Sequence, residues 1–305
     1  MSVSAKIEVV VGPEGTLIGE GPFWSVKNRV LWWIDIKAPA IHRFDPATGK
    51  DTRWSIDVEI GTIFEAASGG LPLVGGRGGF FRFDPATGRL VPFVAAANDN
   101  PLMRFNDGRT DRQGRLWTGT MLCPYGPPTH YMERAPDSAL WRLDGDGIPR
   151  RMIEGIRVTN GFAFSPDGRT MYFADSPTHE IATFDYDPAT GTPSNRRVFA
   201  RIPREPGRGT PDGSTVDAEG YLWNAEFRGS RLVRYAPDGS VDRTIILPVS
   251  RPACPEFGGD DLGTLYLTSG RIMLTPEELA KEPLAGALFA LDVGVRGVPA
   301  APWAG

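Results

Sequence analysis

The chain has 305 residues, of which 41% are apolar and 23% charged, and its formal net charge is −4. This is a globular composition: it argues against long disordered tracts, presents no run of Lys or Arg for nucleic acid, and contains no apolar stretch near the ~18 residues of a membrane span. With 37 glycines and 28 prolines, about a fifth of the residues interrupt helices, so a turn-rich, all-β fold is expected.

In chain order, the first element is a β-branched strand over 6–11, Lys6-Ile7-Glu8-Val9-Val10-Val11. The start of the chain lacks the basic, apolar and small-residue order of a secretory signal, so a cytoplasmic location is expected. From there the chain repeats itself. Short apolar elements lie at 30–33, 71–74, 115–118, 170–173, 221–224 and 264–267. Each is followed by an alternating strand that ends in a turn. The turn reads FDPATG at 44–49 and 83–88 and YDPATG at 186–191, with looser forms at 141–147, 234–239 and 289–294. Asp-Pro-x-x-Gly closes a hairpin. Six such units give a period of about 51 residues, the size of a propeller blade built from strands. The expected fold is an all-β, six-bladed β-propeller forming a single domain over 1–305. The strand at 6–11 should complete the last blade beside 286–290.

The innermost strand of a propeller blade lines the central channel. Glu20 and Asn160 lie 12 residues before Trp32 and Tyr172, and Asn106 and Asp212 lie 11 before Trp117 and Trp223. Four blades thus offer one oxygen-bearing side chain each at one equivalent position, converging on one mouth of the channel. The competing reading is a turn. Pro-Asp-Gly at 166–168 and 237–239 falls between strands and reads as a hairpin turn. Asp212, in contrast, follows the irregular stretch 203–210 and precedes a strand with its own turn at 217–220. Two carboxylates and two amide oxygens suit a hard cation such as Ca²⁺. The three histidines (His42, His130, His179) and two cysteines (Cys123, Cys254) lack zinc spacing and are too few for a disulfide framework. An open divalent ion polarises a carbonyl and acidifies water, and a carboxylate beside it can act as general base. That chemistry suits ester hydrolysis.

At these residues the chain resembles the SMP-30/gluconolactonase/regucalcin family of sugar lactonases. The matching motifs are Gly19-Glu20-Gly21-Pro22, Arg104-Phe105-Asn106-Asp107-Gly108-Arg109, Thr159-Asn160-Gly161, Pro211-Asp212-Gly213 with Val216-Asp217-Ala218-Glu219-Gly220, and Phe257-Gly258-Gly259. They occur in family order over roughly 17–270. The resemblance implies a six-bladed propeller with one divalent metal ion in the channel: calcium, zinc, manganese or iron. It implies Glu20, Asn160 and Asp212 as metal ligands, with Asp212 also the general base. Arg104 and Asn106 would contact substrate hydroxyls or the lactone, Asn106 reaching the metal through water. One departure stands out. Some relatives carry an acidic substrate contact shortly after the position of Gly119-Thr120-Met121, where this chain has Leu122-Cys123-Pro124-Tyr125.

The reading that follows is a metal-dependent lactonase that opens a pentono- or hexonolactone to the sugar acid. Its partner is a small sugar lactone, with no nucleic acid or membrane, and it is a monomer or small homo-oligomer. The rivals are an organophosphate or aryl-ester hydrolase on the same propeller and a non-enzymatic calcium-binding propeller. Asn224 and Glu226 are candidates for rim contacts with substrate, with a solvated loop the equal alternative. The Pro- and aromatic-rich stretch 122–130 is either a lid over the mouth or a rigid loop.

Overall fold

The computed structural model describes residues 5–95, 100–123 and 135–305. Its strands form six four-stranded antiparallel sheets, the architecture of a six-bladed propeller. The inner strands, in chain order, are Gly19–Ser25, Ile60–Phe64, Met103–Thr110, Thr159–Phe164, Thr210–Val216 and Pro252–Gly258. In the sixth blade the outermost strand is Lys6–Val11, paired with Leu288–Asp292, so the two ends of the chain share one sheet. Among the described residues one short α-helix appears, Pro276–Lys281, capped by Thr275 in the connection between two strands of that blade.

The repeated turn motif has a local cause. In each Asp-Pro-Ala-Thr-Gly copy the Asp carboxylate accepts from the backbone N–H two residues on and from the Thr hydroxyl three residues on. The distances are 2.9 and 3.0 Å at Asp45, 2.9 and 2.8 Å at Asp84, and 2.9 and 2.7 Å at Asp187. This side-chain turn sets the two-strand geometry without help from the rest of the fold. The apolar residues of the second and third strands then fill the wedges between blades. Trp223 packs edge-on against Phe257 between the fifth and sixth blades, and Phe80 lies against Phe105 between the second and third. Burial of such aromatic side chains is the main favourable term holding neighbouring blades together.

The C-terminal residues cross the far end of the channel. The Gly297 N–H donates to Leu262 O on the sixth blade, and Arg296 O accepts from Ala218 on the fifth. Arg112 and Thr110 on the third blade hold Pro299 O and Ala301 O. Trp303, fully buried, pairs through its backbone with Glu65 and Ala67 on the second blade, and its indole donates to Leu143 O. Every anchor but Leu143 lies on or beside a hairpin that follows an inner strand, and Leu143 opens the hairpin between the third and fourth strands at the same end of its blade. This strap therefore lies on the face opposite the one where the inner strands begin.

Candidate functional site

All six inner strands carry a β-bulge at the same level. The register with the second strand slips between Glu20 and Phe23, Ile60 and Thr62, Phe105 and Gly108, Asn160 and Ala163, Pro211 and Ser214, and Pro252 and Pro255. A bulge leaves an extra residue unpaired and re-aims its side chain. The expected single equivalent position needs correction here. Glu20 and Asn160 occupy the last paired position before the bulge, whereas Asn106 and Asp212 lie one residue later, inside it. The spacing difference of 12 against 11 is this offset. The bulge after Asn160 depends on Gly161, whose φ of +68° is left-handed and whose missing Cβ would meet Ala174 Cβ at 3.0 Å.

All five predicted site residues are buried near the starting ends of their inner strands, at one mouth of the channel. Arg104 Nη1 donates to Asn106 Oδ1 at 2.6 Å and to Phe105 O at 2.9 Å. Asn106 Nδ2 donates to Asn160 Oδ1 at 3.0 Å and to Thr159 O at 2.7 Å. Asn160 Nδ2 donates to Ser176 Oγ at 2.8 Å, and that hydroxyl donates to Pro211 O at 2.7 Å, the residue before Asp212. The third and fourth blades are thereby joined side chain to side chain, and the fifth through the backbone carbonyl of Pro211. Arg104 Nε is buried without a partner among the described residues.

The carboxylates are the least satisfied groups. Burial, and next the charge of Asp107, push the Glu20 carboxyl up to about 8, against weak help from the Gly21 N–H and Arg104. Burial, then Glu20 and Asp107, push Asp212 well above the usual carboxylate range, opposed only by the Gly213 N–H. Asp107 is raised by burial too, but Arg109 and the N–H groups of Gly108 and Phe162, at 2.9 and 3.2 Å, offset part of this. Deeper in the channel, Arg109 pairs with Glu256 on the opposite blade and donates to Ser214 O at 2.7 Å. Among the described residues no cluster of three or more His, Cys, Asp or Glu is placed to ligate a metal ion. The donor set for a cation is therefore two carboxylates and an amide. Two buried, mutually repelling carboxyls beside an amide oxygen suit a hard divalent ion, which would supply the opposite charge they lack.

Two readings of the sequence are corrected. Asn224 and Glu226 are neither rim contacts nor part of a solvated loop, since both are fully buried. Asn224 Nδ2 braces the bulge of the neighbouring strand, donating to Asp212 O at 2.8 Å and Ser214 Oγ at 3.0 Å. Glu226 forms an ion pair with Arg208. Ser176 and the Asn224 brace were not anticipated: Ser176 bridges two blades that meet only in the folded ring, Asn224 reaches across a hairpin to a backbone bulge, and no local motif marks either. At the departure noted after Met121, the Cys123 thiol lies 3.3 Å from Lys37 Nζ, which is bonded to Glu59 at 2.6 Å. Burial raises this thiol, but Arg104 and Lys37 outweigh it and hold the thiol below its usual value. Residues 124–130 of the suggested lid lie outside the described residues.

A family model described as "SMP-30/Gluconolactonase/LRE-like region" matches residues 18–271. The chain belongs to this family. It is 38% identical to a 6-deoxy-6-sulfogluconolactonase of Pseudomonas putida, over 92% of this chain and 93% of that protein. It is 35% identical to regucalcin of Danio rerio, over 97% of each chain. A solved structure described as a calcium-binding protein, regucalcin, from Agrobacterium tumefaciens superimposes with a TM-score of 0.88 at 28% identity, covering 99% of this chain and 97% of the other. The family match takes in all five predicted site residues.

Proposed function

We propose that this protein is a metal-dependent sugar lactonase that hydrolyses an aldonolactone, of the pentono- or hexonolactone class, to the sugar acid. The observation that carries the proposal is the pair of buried, poorly satisfied carboxyls, Glu20 and Asp212, on separate inner strands at the mouth where Arg104, Asn106 and Asn160 are linked. The family membership and the lactonase named among the relatives support the reaction class, and the calcium-binding neighbour supports a divalent ion. Glu20, Asn160 and Asp212 would hold that ion. When bound, it would polarise the lactone carbonyl and stabilise negative charge on its oxygen.

The chain's own residues divide the remaining work. Asp212 accepts the proton of the water that attacks the lactone carbonyl carbon, then returns it to the ring oxygen as the acyl–oxygen bond breaks. The product is the open hydroxy acid, with the proton conserved. The Arg104 guanidinium, which commits Nη1 to Phe105 O and Asn106 Oδ1, is the donor toward a substrate oxygen. Asn106 spends both amide hydrogens on Thr159 and Asn160, so it meets substrate as an acceptor, through the lone pair of Oδ1 that Arg104 does not use. The pair therefore reads a polyol by one donor and one acceptor, fixing its orientation at the base.

The test is a pH-stat screen of pentono- and hexonolactones on metal-stripped protein, repeated with Ca²⁺, Mn²⁺, Fe²⁺ and Zn²⁺. Metal-dependent acid release is the expected result. Calcium binding without turnover of any lactone would instead identify a binding propeller, and turnover of aryl esters or organophosphates alone would replace the sugar.

A further inference from the structure

We infer that Ser176 is a positioning residue for Asn160, the central link of a one-way hydrogen-bond relay that runs from Arg104 to the strand bearing Asp212. The inference rests on the metal-dependent reading above. The relay is Arg104 Nη1 to Asn106 Oδ1 (2.6 Å), Asn106 Nδ2 to Asn160 Oδ1 (3.0 Å), Asn160 Nδ2 to Ser176 Oγ (2.8 Å), and Ser176 Oγ to Pro211 O (2.7 Å). Its direction is fixed at both ends. A guanidinium can only donate and a backbone carbonyl can only accept, so every group between them has one allowed orientation. Asn106 must turn its oxygen to Arg104 and its nitrogen to Asn160. Asn160 must turn its nitrogen to Ser176, which leaves its oxygen facing away from the serine with one lone pair uncommitted. An amide turned the other way would present N–H to a cation.

The hydroxyl of Ser176 is not needed to hold its own backbone. The Ser176 N–H donates to Val158 O at 3.2 Å, and its carbonyl accepts from His179 at 3.1 Å, closing the short turn Ser176–Thr178 by main-chain bonds alone. The residue is 2% exposed, so water does not compete for the hydroxyl. Ser176 thus joins Asn160 on the fourth blade to the backbone beside Asp212 on the fifth. Groups that orient a ligand from behind are worth about 10–100-fold in metal affinity.

Calorimetric titration of chelator-treated protein with Mn²⁺ tests this. Ser176→Ala is expected to weaken Mn²⁺ binding by about 10–100-fold, while the metal-free protein stays folded, its unfolding midpoint lowered by only a few degrees for the buried groups left unpaired. Ser176→Thr, which keeps the hydroxyl, should bind like wild type. Asn160→Asp keeps an oxygen ligand but has no N–H to give the serine, so adding Ser176→Ala to it should change affinity by less than about twofold. Ser176→Ala binding as tightly as wild type overturns the relay, as does an equal loss from Ser176→Ala with and without Asn160→Asp. No substrate enters these measurements. A protein that shows the pattern yet opens no lactone overturns the lactonase reading and leaves the relay standing, whereas lactone turnover with normal Mn²⁺ binding in Ser176→Ala overturns the relay alone. A wild-type protein that binds no divalent ion overturns both.

Discussion

Two aspartates of the fifth blade, one on its inner strand and one just past that strand's end, show what separates scaffold from site. Asp217, at the hairpin end of Thr210–Val216, is fully buried and accepts four hydrogen bonds: from Glu219 N and Tyr221 N at 3.0 Å each, Trp223 Nε1 at 2.9 Å and Arg234 Nε at 2.8 Å. Asp212, at the mouth end, is almost as buried but among the described residues has only the neighbouring Gly213 N–H to oppose its desolvation. The third blade repeats the contrast. Asp111 accepts from Gln113 N, Arg115 N, Arg115 Nη1 and Tyr186 Oη, while Asp107 has the charge of Arg109 and backbone N–H groups near the channel. Burial is common to both ends, so burial does not mark function. The shortage of donors does. A buried acceptor left unpaired costs about 1–3 kcal/mol, more for a charge, and this fold concentrates that cost at one mouth.

The largest expected effect comes from exchanging the two aspartates' fates. Asp212→Asn should cut turnover by about 10²–10⁴ at saturating metal, because an amide cannot take a proton from water. The metal-free fold should be no less stable, since a poorly satisfied buried carboxyl is replaced by a neutral amide of the same shape. Asp217→Asn should do the reverse. Its new Nδ2 would face the donors of Trp223 and Arg234, breaking a buried ionic network at a cost of about 3–5 kcal/mol. Turnover per folded molecule should stay within a few-fold of wild type. Denaturant unfolding and lactone assays on both variants check the pair; equal destabilisation with turnover retained in Asp212→Asn would end the distinction.

A smaller effect is expected where the scaffold touches the site. Asn224→Leu removes the donor that braces Asp212 O, Gly213 O and Ser214 Oγ. A stability loss of about 1–3 kcal/mol should accompany a roughly tenfold fall in kcat, with KM for the lactone little changed. If KM alone moved, Asn224 would be acting on substrate and not on the bulge.

Much of the scaffold is legible in the sequence because its determinants are local. The Asp45, Asp84 and Asp187 turns are closed by atoms within three residues, so the motif carries its own geometry and its repetition gives the blade count. The site is legible less far. Glu20, Asn106, Asn160 and Asp212 can be aligned by their distance from the following aromatic residue, but the one-residue offset within the set reflects where each strand slips against its partner. Slippage is a property of paired strands. Asn224 shows the limit most clearly. A polar residue directly after Trp223 suggests a rim contact or a solvated loop, yet its partner is the backbone bulge of the adjacent strand, which no pattern around 224 announces. Ser176 follows a strand end and precedes a proline, as a turn residue would, and only the closed ring brings it between Asn160 and Pro211.

The smallest predicted effect bears on the comparison most directly, because it reads the shortage of donors as a pH dependence. Glu20 holds its proton up to about 8 in the fold, against 4.5 for the free side chain. Between those values the folded group is protonated and the unfolded one is not, so unfolding releases a proton. Raising the pH through that window therefore favours the unfolded chain, and metal-free protein should lose thermal stability from pH 5.5 to 8. Asp212, shifted in the same direction, adds to the slope. A divalent cation inverts the sign. It binds the ionised carboxylates, so its stabilising effect should grow with pH and its binding should release protons, measurable as a dependence of the binding heat on buffer ionisation. The expected size is a few degrees in midpoint, within reach of other titrating groups, and the decisive quantity is the difference from Glu20→Gln. That variant keeps an oxygen at the site and has no proton to lose. Its metal-free midpoint should fall less steeply over the same range. Parallel slopes for the two proteins would mean that Glu20 is already satisfied in solution, and the mouth would then differ from the hairpin end in position alone.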